Sequence, residues 1–191
     1  MKIDNPENRL EQFWGKVDYK HVNAILEHVK GKRILDIGCG YGTTTHYANK
    51  RGLECTGIDY DEKAIAFCRK RFPEGKYMAA NAEALPFEDN SFDTIILRDS
   101  LHHLYGEADF NKVKRELNRV LTVESRIIFF DPNVNLLLRT MRAISFHKDE
   151  ECRFETALKI MKELGFETVH SGFNTVYSLP LSGGYVGINF I

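Results

Sequence analysis

The chain has 191 residues, 43% of them hydrophobic and 28% charged, with a formal net charge of -1. A single domain of this length buries roughly 70% of its extended surface, so it needs no disulfide frame or structural metal. The near-neutral balance excludes a global field that would draw in nucleic acid or an anionic membrane.

No apolar signal core opens the chain, and no apolar run approaches the length of a membrane span. Four scattered cysteines, Cys39, Cys55, Cys68 and Cys152, form no Cys-x-x-Cys pair, as expected of reduced thiols in the cytoplasm. In chain order, Asp18 to Val29 predicts a helix with Val22, Ile25, Leu26 and Val29 on one stripe and Gly31 as its stop. Arg33 to Ile37 reads as a buried strand running into glycines, and Thr43 to Arg51 as a helix. Cys55 to Ile58 is a second strand closing on Asp59. Asp61 caps a helix that runs to Arg71 before Pro73.

Lys76 to Ala80 and Thr94 to Leu97 read as the third and fourth strands, and Phe110 to Leu121 as a helix turning Val113, Leu117 and Val120 inward. Arg126 to Phe130 is a fifth strand ended by Asp131-Pro132, and Arg153 to Leu164 a last long helix before Gly165. Phe166 to Tyr177 and Tyr185 to Ile191 read as two final strands paired antiparallel. Alternating strands and helices give an α/β fold, a doubly wound, mostly parallel sheet covered on both faces. Ligands of such sheets lie beyond the carboxyl ends of the strands, where the strand order reverses.

Ile34 to Gly42 carries the most chemistry: a strand enters a Gly38-Cys39-Gly40-Tyr41-Gly42 turn that opens a helix at Thr43. Glycines let a ligand touch bare backbone, and the helix start offers free N–H groups. A tight turn without a ligand is the alternative. A dinucleotide site wants G-x-G-x-x-G, whereas the third glycine here is Gly42 and position 43 is threonine. Asp36 sets a carboxylate where a pyrophosphate would be repelled and an ammonium or sulfonium attracted. Asp59, ending the second strand, suits the two hydroxyls of a ribose.

Five segments in order then resemble the class I S-adenosylmethionine-dependent methyltransferases, in the small-molecule branch of ubiquinone- and menaquinone-biosynthesis-type (methyltransferase type 11) enzymes. They are Leu35 to Gly42, Gly57-Ile58-Asp59, Asn81 to Phe87 with Asp89 to Asp93, Arg119-Val120-Leu121, and Asp131-Pro132-Asn133. The resemblance covers Ile34 to about Phe166. It implies a Rossmann-like sheet of seven strands with the last antiparallel, in a single domain over 1–191. An N-terminal cap helix over 1–30 and a lid over about 133–150 would complete it.

The resemblance also implies S-adenosylmethionine as cofactor. Asp36, Gly38, Cys39 and Gly40 would hold its methionine end, Asp59 its ribose, Tyr60 its adenine face, and Asn81 and Ala82 its adenine edge. Many relatives carry aspartate at the position of Asn81, but an amide carbonyl still accepts from the adenine amino group. The segment Arg98 to Leu104 matches the stretch after the fourth strand, which makes Arg98 a cofactor contact and His103 an acceptor-side group, the candidate general base.

Asp99, His102 and His103 have no further ligand run beside them, so no metal site is expected. The remaining histidines, His21, His28, His46, His147 and His170, read as solvated surface residues. Leu137, Met141 and Ile144 share one face of the expected lid while Arg139 and Arg142 project elsewhere. Such a piece is either ordinary lid packing with solvated arginines, or a basic amphipathic cover for an apolar acceptor that also touches a membrane surface. The expected partner is a small-molecule acceptor and not nucleic acid. The competing functions are a non-catalytic cofactor-binding protein and a nicotinamide-dependent (NAD) oxidoreductase.

Overall fold

The computed structural model describes residues 19–106, 108–130, 159, 160, 162, 163 and 165. A helix α1 over 19–26 leads into β1 (Arg33–Ile37), α2 (Thr43–Lys50), β2 (Glu54–Asp59), α3 (Glu62–Arg71) and β3 (Lys76–Ala79). There follow β4 (Phe92–Arg98), α4 (Leu101–Gly106), α5 (Phe110–Val120) and β5 (Leu121–Phe130). The five strands form one parallel sheet in the order β3-β2-β1-β4-β5. The order reverses between β1 and β4, which opens a crevice at their carboxyl ends.

Alternation along each strand builds the two faces. Ile34 of β1, Cys55 of β2 and Ile96 of β4 pack with Val22, Ile25 and Leu26 of α1 and Ala48 of α2. Leu35, Ile37, Ile95, Leu97 and Ile127 point the other way, onto Val113, Leu117 and Val120 of α5 and onto Ile160. Strands buried on both faces read as near-continuous apolar runs, which is why β1 and β4 were legible. Helix α5 buries positions three and four apart and is capped by Asp109, whose carboxylate accepts from Asn111 N and Lys112 N. Asp61 caps α3 by accepting from Lys63 N at 2.8 Å, as the sequence predicts.

Several boundaries differ from the expectations. Helix α1 ends at position 26, because His28 N turns back to Ile25 O and the chain leaves the helix before Val29. Strand β4 runs from Phe92 to Arg98, and β5 begins at Leu121, opposite Phe92, with an irregularity near Phe92–Thr94. Helix α4 has no counterpart in the sequence reading, its six residues being too few to show a period. Two histidines expected on the surface are not there. His21 is 6% exposed with its ring 5.1 Å from Phe130, and His46 stacks on Phe72 at 3.9 Å with Nδ1 3.3 Å from Glu74. Both complete the contacts of helices that bury them.

The cap helix before position 19, the lid over about 133–150, the two final strands with their loop, His147 and His170 all lie outside the described residues. So do most of the last helix and any strand beyond the fifth. Among the described residues no helix is long and apolar enough to cross a membrane.

The chain runs parallel in β3 and β4, so residues 80–91 must return from one end of the sheet to the other, and they do so without any helix. At the start of β1, Asp93 accepts from Lys32 N and Arg33 N and pairs with Arg33 Nη2 at 2.5 Å. Gly31, at φ +70°, lets the chain pass this carboxylate, since a Cβ there would lie 2.4 Å from Asp93 Cβ. The hydrogen bond from Arg33 holds the Asp93 carboxyl down at about 2, below its unfolded value near ~3.9. Its contribution is therefore present above about pH 4 and lost as pH falls towards about 2. Asp93→Asn should lower the thermal midpoint at pH 6, with a deficit that shrinks as scanning calorimetry is repeated from pH 4 down to pH 2.

Candidate functional site

The turn after β1 holds three glycines in left-handed backbone, Gly38, Gly40 and Gly42, with φ of 70°, 50° and 77°. They are glycines for different reasons. A Cβ at Gly38 would meet Ser100 Cβ at 2.6 Å, and one at Gly42 would meet Cys68 Sγ and Tyr77 at 2.9 Å. Those two are packing requirements. A Cβ at Gly40 would meet nothing within 4 Å, so its bare backbone faces the open crevice. Of the three, only Gly40 has open space on the side where a Cβ would stand.

Neighbouring groups hold the turn in shape. Gly38 N and Cys39 N both donate to Ile58 O at 2.9 Å, tying the turn to the end of β2. Gly40 N donates to Asp59 Oδ2 at 2.9 Å, and Asp61 N to Asp59 Oδ1 at 3.0 Å. A carboxylate offers about four acceptor positions, so Asp59 keeps capacity for two hydroxyls. Cys68 donates through Sγ to Gly40 O at 3.0 Å, and Ser100 Oγ donates to Ile37 O at 3.0 Å. Ser100 and Cys68 were not singled out by sequence reasoning, because each acts by touching a glycine backbone and leaves no spacing signal.

Asp36 is 1% exposed and accepts from Thr45 Oγ1 at 2.6 Å. Thr45 reaches it across Gly57, where a Cβ would lie 2.5 Å from the threonine hydroxyl. Burial pushes the Asp36 carboxyl up to about 6, against the opposing pull of the Thr45 hydrogen bond and the Arg98 charge. Arg98 ends β4, donates to Thr44 Oγ1 at 3.4 Å and lies 3.6 Å from Asp99. Two carboxylates thus face one guanidinium around the turn. Thr44 and Thr45 are the other residues sequence reading missed, hidden in a run of three threonines that looked like an ordinary helix start.

The structure therefore gathers Asp36, Gly38, Cys39, Gly40, Asp59, Tyr60 and Arg98 at the carboxyl ends of β1, β2 and β4. Tyr60 is 77% exposed, an aromatic surface beside Asp59. Ala80 N donates to Asp59 O at 3.0 Å and brings Asn81 next to this group. Asn81 uses its side-chain oxygen to accept from Glu83 N at 2.9 Å, while the Ala82 side chain is buried in the core and only its backbone can serve a ligand. Burial pushes the Cys39 thiol well up, so Cys39 supplies backbone and not a thiolate. His103 lies half-buried on α4, just past the Asp99–Ser100 turn. Among the described residues no group of three His, Cys, Asp or Glu side chains is placed to hold a metal.

The chain is similar to known proteins in sequence and in fold. A family profile described as a methyltransferase domain matches residues 35–129. A fatty-acid O-methyltransferase of Mycolicibacterium smegmatis is 33% identical over 115 residues, covering 58% of this chain and 41% of the relative. A demethylmenaquinone methyltransferase of Thermotoga maritima is 29% identical over 114 residues, covering 59% and 48%. The chain spans under half the length of these curated relatives. The crystal structure of a SAM-dependent methyltransferase from Archaeoglobus fulgidus superposes with a TM-score of 0.70 at 23% identity, over 85% of this chain and 74% of that one. That likeness establishes the fold as Rossmann-like.

The raised ionisation of Asp36 has a signed consequence. Its contribution to stability is full below about pH 4 and is lost as pH rises through about 6, a cost on the order of 3 kcal/mol at pH 8. Asp36→Asn keeps an acceptor for Thr45 and removes the charge. Urea denaturation should find it more stable than the parent at pH 8 and nearly equal at pH 4.

Proposed function

We propose that this chain, which belongs to the class I S-adenosylmethionine-dependent methyltransferases, binds S-adenosylmethionine at the glycine turn and methylates a small apolar acceptor. The observation that carries the proposal is the open backbone at Gly40, set between the carboxylates of Asp36 and Asp59. A ligand with an ammonium, a sulfonium and a ribose diol suits that pair of charges, and a pyrophosphate does not.

In this arrangement Asp36 and the backbone of Gly38, Cys39 and Gly40 serve the methionine end, with Arg98 beside them. Asp59 accepts from the ribose hydroxyls, Tyr60 lies against the adenine face, and Asn81 with the backbone of Ala82 takes the adenine edge. The bound sulfonium supplies a methyl group already activated for in-line displacement. The protein's share is positioning, which is worth roughly 7–11 kcal/mol of a barrier when reactants are held in near-attack geometry. His103 is the group proposed to take a proton from the acceptor, a role worth about 10²–10⁴ in rate. An apolar acceptor is supported by relatives named for fatty acids and demethylmenaquinone.

Calorimetry should show S-adenosylhomocysteine binding and NAD not binding, and the opposite result sinks the proposal. Asp59→Ala should weaken S-adenosylhomocysteine by about 1.5–3 kcal/mol, the scale of hydrogen bonds to a charged group. An affinity equal to the parent's removes Asp59 from the ribose. Once an acceptor is found by labelled-methyl transfer, His103→Ala should slow turnover without changing cofactor affinity. Unchanged turnover reduces His103 to packing.

A further inference from the structure

The crossover from β3 to β4 presents a problem of backbone satisfaction. Residues 80–91 contain no helix, so they lack a ladder of their own, yet Ala82 and Leu85 are buried in the core under α5. Polar backbone held at such a surface needs partners from elsewhere. Helix α5 provides them from two neighbouring side chains. Glu116 accepts from Leu85 N at 2.7 Å. Arg119 donates to Leu85 O at 3.0 Å, to Phe87 O at 2.7 Å and to the Asp89 carboxylate at 2.9 Å. Asn90 N then donates to Arg119 O at 2.9 Å.

The two side chains are locked to each other by a fork, Arg119 Nε to Glu116 Oε1 at 2.9 Å and Nη2 to Oε2 at 2.8 Å. At the start of the same helix, Asp109 N donates to Glu83 of the crossover at 3.0 Å and Lys112 Nζ lies 3.5 Å from the same carboxylate. The crossover is therefore held along the length of α5, and its first residues lie beside Asp59 through the bond from Ala80 N to Asp59 O.

We propose that Glu116 and Arg119 are positioning residues for nucleoside recognition: they fix the helix-free crossover so that Asn81 and Ala82 stand at the adenine edge. This rests on the site assignment above. Neither residue touches the ligand. Arginine is required for its geometry, because a planar guanidinium makes the fork to Glu116 while reaching two carbonyls and a second carboxylate. A lysine keeps the charge and can satisfy only part of that set.

The test compares Arg119→Lys, Glu116→Gln and Arg33→Met in the full chain. Arg33 forks to Asp93 at the opposite end of β1 and meets the crossover only at Asn90 O, the end away from Asn81, so it measures the structural loss. Calorimetry with S-adenosylhomocysteine should give at least tenfold weaker binding for Arg119→Lys and Glu116→Gln in protein that still melts cooperatively. Arg33→Met should lower the melting temperature and bind within twofold of the parent. Hydrogen exchange should show that ligand protects the amides of 81–87 in the parent and fails to do so in Arg119→Lys. Binding within twofold for a folded Arg119→Lys overturns the inference, as does an equal loss in Arg33→Met. A parent that does not bind overturns the site assignment itself and the inference with it.

Discussion

Burying the Asp36 carboxylate is the constraint on which the rest of the crevice depends. A charge removed from water must find donors or give up ionisation. Thr45 supplies the donor, and it reaches Asp36 only because Gly57 has no side chain in the way. Arg98 supplies a compensating charge from the next strand, and Thr44 steadies Arg98. One unfavourable group thus explains why two threonines, a glycine and an arginine sit where they do. An ionised Asp36 opposes stability and, in the proposed site, attracts a cationic ligand.

The glycine turn shows how one short motif serves separate demands. Gly38 makes room for Ser100, and Gly42 for Cys68 and Tyr77, so both knit the turn to neighbouring elements. Gly40 alone leaves space unfilled, and the grip of Asp59 on its amide holds that space open in one shape. The same carboxylate joins the turn to the start of α3 through Asp61 N. The proposed ribose acceptor is thereby pre-oriented by backbone amides, which reduces the ordering cost of binding.

Much of this was legible in the amino-acid order. The apolar runs at Ile34–Ile37 and Thr94–Leu97 announced strands buried on both faces, and the glycine spacing with Asp36 and Asp59 located the crevice. What escaped was whatever depends on contacts distant along the chain. His21 and His46 looked polar and solvated, yet each is enclosed by an aromatic from another element. Thr45, Ser100 and Cys68 act through single bonds to groups nine to sixty-three positions away, or twenty-eight in the case of Cys68, and carry no periodic mark. Thr122 to Ser125 did not look like strand because they overhang the core, with Val123 exposed.

Strand β1 is hydrogen-bonded on both edges, with Asp36 opposite Gly57 on one side and Ile96 on the other. Because strand side chains alternate, a slip of a single position would send this carboxylate to the face of α5 and bring Leu35 or Ile37 under Thr45. The placement of this carboxylate and the register of the central strand are therefore set together. Local breathing that spares β1 and its two neighbours leaves Asp36 buried on the α2 face.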